Sequence, residues 1–142
     1  MSHGIRNLNE SDLANLLSWE SLCFPGEEWT EKMMRTHLEF HPGFVLEDAN
    51  PVAYSLVCET PWEIEIFRIA SLPQFRNLGF ASTLIRELIS KFPTKDFFLE
   101  VKESNSIAYK LYRKLNFEEL ERRKNYYPDG STAILMKRKF TE

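Results

Sequence analysis

Between Ile69 and Phe117 the chain carries, in order, a glycine turn that opens a helix, a strand with one carboxylate, and a second helix with the tyrosines Tyr109 and Tyr112. The turn is Pro73-Gln74-Phe75-Arg76-Asn77-Leu78-Gly79-Phe80-Ala81, after which Ala81, Leu84, Ile85, Leu88 and Ile89 recur at helical spacing. A helix starting near Gly79 has first-turn amides without helical partners, at the positive end of its dipole. Gly79 and Ala81 are small enough for phosphates to reach that backbone. The turn is therefore a candidate anion site, with an ordinary tight turn as the alternative. Neither a Gly-Lys-Ser/Thr nor a Gly-x-Gly-x-x-Gly is present, so a P-loop and a dinucleotide fingerprint are set aside.

Arg76-x-x-Gly79-x-Ala81 resembles the Gln/Arg-x-x-Gly-x-Gly/Ala signature of the GNAT superfamily, whose turn binds the pyrophosphate of acetyl-CoA. Leu99-Glu100-Val101, Asn105, Ala108, Leu111-Tyr112, Leu115-Asn116-Phe117 and Arg122-Arg123-Lys124-Asn125-Tyr126-Tyr127-Pro128 are similar in order and spacing to the RimI-type ribosomal-protein alanine N-acetyltransferases. The resemblance runs from about Ile69 to Met136 and weakens toward the N-terminus. It implies acetyl-CoA as co-substrate, without a metal. The residues it assigns to acetyl-CoA are Ile69, Ala70, Ser71, Arg76, Asn77, Leu78, Gly79, Phe80, Ala81, Ser82, Asn105 and Tyr112, with backbone amides near Ile69 to Ser71 meeting the thioester carbonyl. Asn105 has a helix N-terminal role as its alternative. Two positions depart from the pattern: Asn77 stands where Gly or a basic residue is usual, and Asn116 where Gly precedes the Phe. Asn tolerates left-handed geometry better than most residues, so neither abolishes the motif.

Acetyl transfer to an amine needs an unprotonated nitrogen, a polarised carbonyl and a proton for the departing sulfur. Glu100, inside Phe97-Phe98-Leu99-Glu100-Val101, is the expected general base, with partial burial raising its pKa and a solvated strand Glu as the alternative. Tyr112 is the expected general acid, because a phenol of reference pKa near 10 stays protonated until a thiolate is released. It falls with Leu111 and Leu115 on the inward side, so its alternative is a packed aromatic. The Arg122-Arg123-Lys124 run is a solvated stripe that flanks the acceptor in the RimI-type context.

The elements that must position these groups follow from pattern. Asn9 caps a first helix, with Leu8 and Leu13 as its staple; Thr30 caps a second, with Trp29 and Met34 as staple and Met33, His37 and Leu38 on the inner face. Between them Cys23-Phe24-Pro25-Gly26-Glu27-Glu28-Trp29 is a loop that borders the acceptor in the resembled family. Phe44 to Glu47 and Val52 to Cys58 form a hairpin around Asp48-Ala49-Asn50-Pro51. Glu63-Ile64-Glu65-Ile66 alternates, and Phe67 to Ala70 reads as the buried continuation of that strand. Strand, helix, strand makes Ile66–Ser71 and Phe97–Val101 parallel neighbours. Asn105 to Leu115 is the next helix, with Ile107 on its inner side and Asn116 in the left-handed position that ends it. Phe117–Tyr127 and Ser131–Phe140 are strands around Pro128-Asp129-Gly130. The expected fold is α/β of the GNAT type: a mixed, mostly antiparallel sheet with a central parallel pair and about four helices. Residues 1–142 read as a single domain.

A net charge of −3 and pI near 5.7 argue against a dedicated nucleic-acid or anionic-membrane binder. Met1-Ser2-His3-Gly4-Ile5-Arg6 lacks a signal-peptide core and no run approaches the ~18 apolar residues of a membrane span, so a cytoplasmic protein is expected. Cys23 and Cys58 read as reduced, mostly buried thiols. The expected partners are acetyl-CoA and a protein N-terminus, such as that of a ribosomal protein, for a monomer or weak dimer. A GNAT acting on a small amine and a non-catalytic acyl-CoA-binding module remain open alternatives.

Overall fold

The computed structural model describes residues 4–141; Met1, Ser2 and His3, from the segment read as lacking a signal core, and Glu142 lie outside the described residues. Seven strands join one sheet: β1 (Gly4–Asn7), β2 (Gly43–Asp48), β3 (Asn50–Glu59), β4 (Glu63–Ser71), β5 (Asp96–Lys102), β6 (Glu118–Arg123) and β7 (Ala133–Arg138). Their spatial order is β1-β2-β3-β4-β5-β7-β6, and every pair is antiparallel except β4 with β5. The helices are α1 (Leu13–Cys23), α2 (Glu31–Phe40), α3 (Phe80–Lys91) and α4 (Ser106–Lys114). This is the mixed α/β architecture expected from the strand and helix order.

Strand alternation sorts the side chains into two cores. In β2, Phe44 and Leu46 join Leu84, Ile85 and Leu88 of α3 and Tyr112 of α4, whereas Val45 between them joins Leu16 of α1 and Met34 of α2. One face of the sheet is thus covered by α3 and α4, the other by α1 and α2. On β5, Phe97, Leu99 and Val101 pack toward α3 and α4, which by alternation puts Phe98, Glu100 and Lys102 on the opposite face.

Local chemistry sets the helix starts, with some corrections. Asn9 accepts from the Ser11 amide and Asp12 bonds back to the Asn9 amide, so the cap closes a 3-10 turn (Glu10–Asp12) that leads into α1 rather than capping α1 itself. Thr30 caps α2 by accepting from the Met33 amide. Met34 and His37 are buried, but Met33 is exposed, one step round the helix from the inner face assigned to it. Ile107 is likewise exposed, because α4 turns its first residues toward an open cleft. The β2–β3 turn is tighter than expected: Asp48 pairs with Asn50 around Ala49, whose φ is 67°. β6 and β7 are shorter than predicted, with residues 124–132 forming their connection. β1 went unpredicted because Gly4-Ile5-Arg6-Asn7 has one apolar residue and no alternation to read. Both cysteines are half-buried rather than mostly buried.

The feature that makes a site lies at the centre of the sheet. Pairing of β4 with β5 runs from Glu63 opposite Asp96 to Ile66 opposite Leu99 and stops, so the parallel pair lies one half-strand earlier than expected: of Ile66–Ser71 only Ile66 pairs with β5. On the other edge of β4, Val57 pairs with Ile66 and Leu56 with Arg68, leaving Phe67 as an extra, bulged residue. A bulge bends its strand and re-aims side chains. Beyond it β4 leaves β5, so the expected buried run Phe67 to Ala70 is wrong in burial: Phe67 is exposed and Arg68 to Ala70 are half-buried along a gap.

Candidate active site

Two cavities meet in that gap. One, about 600 Å³, is lined by Ile69, Ala70 and Ser71 of β4, by Arg76, Asn77, Gly79, Phe80, Ala81 and Ser82 at the start of α3, and by Asn105, Ile107, Ala108, Leu111 and Tyr112, with Cys23 and Phe24 at its edge. The other, about 420 Å³, is lined by Glu65 to Ile69 of β4, Leu99 to Lys102 of β5, Glu27, Asn105, Tyr112 and Tyr127, and shares Cys23 and Phe24. Ile69, Asn105 and Tyr112 border both. Of the residues predicted to hold acetyl-CoA, all but Leu78 line the larger cavity; Leu78 is exposed outside it.

The turn before α3 has the geometry its sequence asks for. Gly79 precedes the helix at φ 82°, and a Cβ added there would meet no atom within 4 Å, so the space over the turn is open. Asn77 is also left-handed, at φ 63°, which accounts for an amide residue where glycine is usual. Asn116 is left-handed at φ 71° and ends α4 as predicted. The first helical bond is Thr83 N–H to the Gly79 carbonyl, 3.0 Å, so the turn of amides ahead of Thr83 lies beyond the helix's own bonding pattern. Glycine turn, first-turn amides and Arg76 at the rim of an open cavity fit a diphosphate-bearing ligand. Asn105 is engaged as the N-cap of α4, accepting from the Ala108 amide at 3.2 Å, so the helix-terminal role foreseen as its alternative is realised.

Tyr112 is 7% exposed, its ring 5.9 Å from that of Phe117. Burial pushes its pKa up to about 12. Among the described residues no group hydrogen-bonds its hydroxyl. Glu100 lines only the smaller cavity and is exposed, not partly buried as expected. Its Oε1 accepts from the Tyr127 hydroxyl at 2.6 Å. The Tyr127 phenol is raised by burial first and by this carboxylate second. Glu65 on β4 lines the same cavity, and its carboxyl is raised by partial burial of the group and then by the neighbouring charge of Glu100. Lys102 Nζ lies 3.2 Å from Glu27 and 3.8 Å from Asp129, with the Tyr127 ring centroid 4.9 Å away. The Arg122-Arg123 stripe is largely neutralised by its own neighbours: Arg122 pairs with Glu119 and Glu103, each at 2.6 Å, and Arg123 with Glu121 at 3.5 Å.

Glu65, Lys102 and Arg68 were not singled out from the sequence. Glu65 had a readable signal in the clean alternation that leads into the splay. Tyr127 was visible only inside its motif. Arg68 and its buried partner Glu20 had none, since nothing local marks a helical Glu as buried. Cys23 donates weakly to the Ser71 carbonyl at 3.6 Å and its thiol is pushed up by burial, which disfavours a nucleophile. Among the described residues no group of three or more His, Cys, Asp or Glu could hold a metal ion.

A seven-stranded sheet split at its parallel pair, with a glycine-led helix start opening on the cavity beside the split, is the arrangement of an acyl-CoA-dependent transferase. The chain belongs to the acetyltransferase (GNAT) family, whose profile matches residues 13–117. Its relatives include the [ribosomal protein bS18]-alanine N-acetyltransferase of Escherichia coli K12, 31% identical over 142 aligned residues, 93% of this chain and 94% of that one. The protein of the same name from Haemophilus ducreyi is 38% identical over 98 residues, 63% of this chain and 67% of that one. The crystal structure of the Escherichia coli ribosomal-protein-S18-alanine N-acetyltransferase superimposes with a TM-score of 0.89 at 29% identity, covering 99% of this chain and 96% of that one. The chain is thus an acyltransferase, and the acetyl donor of its family is acetyl-CoA.

Proposed function

We propose that the chain acetylates the α-amine of a protein N-terminus, of the ribosomal-protein type its relatives are named for, by direct attack on acetyl-CoA and in the cytoplasm. The observation that supports this most is the placement of Tyr112 where the two cavities meet, with Glu100 in the smaller alone. The larger cavity would hold acetyl-CoA through Ile69 to Ser71, Arg76, Asn77 and Gly79 to Ser82, with Asn105 and Tyr112 at its inner end; bound there, it supplies the thioester. The smaller cavity would receive the amine.

An α-amine has a reference pKa near 8 and is mostly protonated at neutral pH. Glu100, with one oxygen held by Tyr127, keeps its other oxygen without a partner among the described residues and can take that proton directly or through a water. Tyr112 would serve the opposite end. With a pKa near 12 it carries its proton throughout the working range. The gap to a thiol, near 8.5, favours hydrogen-bond donation to the departing sulfur as charge develops, over full transfer beforehand. The apolar surroundings that raise Tyr112 also disfavour a bare thiolate, which narrows the gap.

A small-amine acceptor is the second reading, supported by the carboxylates of Glu27, Glu65 and Glu100 lining the acceptor cavity. Mass spectrometry with acetyl-CoA, N-terminal peptides and small amines tests both. Acetylation of peptide α-amines is expected; acetylation of polyamines or amino sugars alone would replace the first reading by the second.

A further inference from the structure

Glu20 and Arg68 take no part in the chemistry above, yet they tie down the segment that walls the acceptor cavity. Glu20, on α1, is fully buried, where an isolated carboxylate would be costly. Its Oε1 accepts from the Trp29 amide at 2.9 Å and from Arg68 Nε at 3.3 Å, and its Oε2 accepts from the Tyr54 hydroxyl at 2.6 Å. Arg68 stands on β4 next to the bulged Phe67. Its guanidinium reaches from Glu20 to the Glu27 carbonyl, to which it donates, and its Cζ lies 4.1 Å from the Phe24 ring centroid. Segment 24–29 is therefore fixed at Phe24, Glu27 and Trp29 by one buried ion pair, and it contributes Phe24 and Glu27 to the cavity wall. Only a planar fork can bond in two directions while stacking on a ring; a lysine cannot.

We propose that Glu20 and Arg68 are positioning residues for the acceptor: by holding segment 24–29 against β4 they shape the cavity that receives the amine, Arg68 from within its wall and Glu20 from behind it. The proposal rests on reading this cleft as an N-acetyltransferase site. The test compares wild type with Arg68→Gln, Arg68→Lys and the double variant Glu20→Gln/Arg68→Gln, which leaves no buried charge unpaired should the single variants fail to fold. Amide exchange across residues 26–29 should accelerate by about tenfold or more in the variants. The KM for a peptide acceptor should rise about tenfold with kcat within about threefold, the pattern of lost acceptor binding. Acetyl-CoA affinity by calorimetry should stay within about twofold, and Arg68→Lys should not rescue. Unchanged exchange, unchanged acceptor KM despite faster exchange, or full rescue by lysine would each overturn the proposal. A wild type that acetylates no acceptor would overturn the functional reading instead, and the exchange measurement, which needs no turnover, would still decide the anchoring.

Discussion

The two cavities that meet at Tyr112 are built differently. The larger is organised around backbone geometry: a left-handed glycine, the first turn of α3 and the stretch of β4 that has left β5, with Arg76 as a charged rim. The smaller is made of side chains drawn from four places in the chain: Glu27 between α1 and α2, Glu65 and Arg68 on β4, Glu100 and Lys102 on β5, and Tyr127 before β7. A backbone site depends on conformation and tolerates substitution wherever conformation is kept, as Asn77 shows. A side-chain site can be retuned one residue at a time. The contrast predicts that damage to the first removes acetyl-CoA binding, and damage to the second alters the acceptor or the chemistry while acetyl-CoA still binds.

The largest effect is expected where both meet. Tyr112→Phe should lower turnover by ~10²–10⁴, the usual worth of general acid catalysis, with acetyl-CoA affinity within a few fold. Alkali should not restore it. Glu100→Gln should also lose activity, but recover in part as pH rises toward the α-amine's own pKa, because the amine then deprotonates unaided. A pH–rate profile of both variants on a peptide acceptor checks the division of labour; near-normal turnover in Tyr112→Phe, or equal rescue of both, would move the acid role elsewhere.

Next comes the backbone side. Gly79→Val should weaken acetyl-CoA binding by tenfold or more in calorimetry, with the protein still folded. A Cβ at this position has no other described atom within 4 Å beyond its chain neighbours, and the side chain it carries would project into the space over the turn. A β-branched residue is also strained at φ 82°, which would pull the first-turn amides from their aim. Undiminished affinity in a folded variant would remove the anion-site assignment.

This difference also explains what was legible in the sequence. Gly79, the helical repeat after it and the Asn116 terminator are local signals, and each lies where its pattern put it, because a left-handed residue or a helix start is decided within a few positions. The parallel direction of β4 and β5 followed from the strand-helix-strand order, but the stretch that pairs is Glu63–Ile66 and not the expected Ile66–Ser71. The splay did not follow, since it depends on Phe67 bulging against β3, a register event between strands that one strand's pattern cannot reveal. The run Phe67 to Ala70, apolar but for Arg68, reads as buried, although it faces the gap. The acceptor side was mostly invisible for the same reason: Glu20 and Arg68 are 48 positions apart and meet only through the fold.

A smaller effect should follow on the side-chain cavity alone. Lys102→Met removes pairs that are exposed and individually weak, together with the contact over Tyr127. Steady-state kinetics should show the peptide KM changing by about two- to fivefold, more at low salt than at high, with the acetyl-CoA KM unmoved. A matching change on the acetyl-CoA side would break the separation of the two cavities.

The smallest effect concerns Glu65 and is one of stability. Its carboxyl is raised by burial and by the charge of Glu100, so the native state binds this proton more tightly than the unfolded chain does. Stability must then fall as pH rises from the unfolded carboxylate value, near 4.3, through the raised native value, and the penalty persists above it. Among the described residues the Glu65 side chain has no hydrogen bond or ion pair that would be lost on substitution. Glu65→Gln should therefore be more stable than wild type at pH 7 and equal to it near pH 3, where both carry a neutral side chain. The side chain is shielded only in part and its field is screened by solvent, so the gain should not exceed about 0.5 kcal/mol. Urea unfolding of both proteins at the two pH values measures the difference. In the Glu100→Gln background the gain should shrink, because the second cause of the shift is gone while the first remains. A gain that is independent of pH, or untouched by Glu100→Gln, would show that the two carboxylates do not feel each other across the split between β4 and β5.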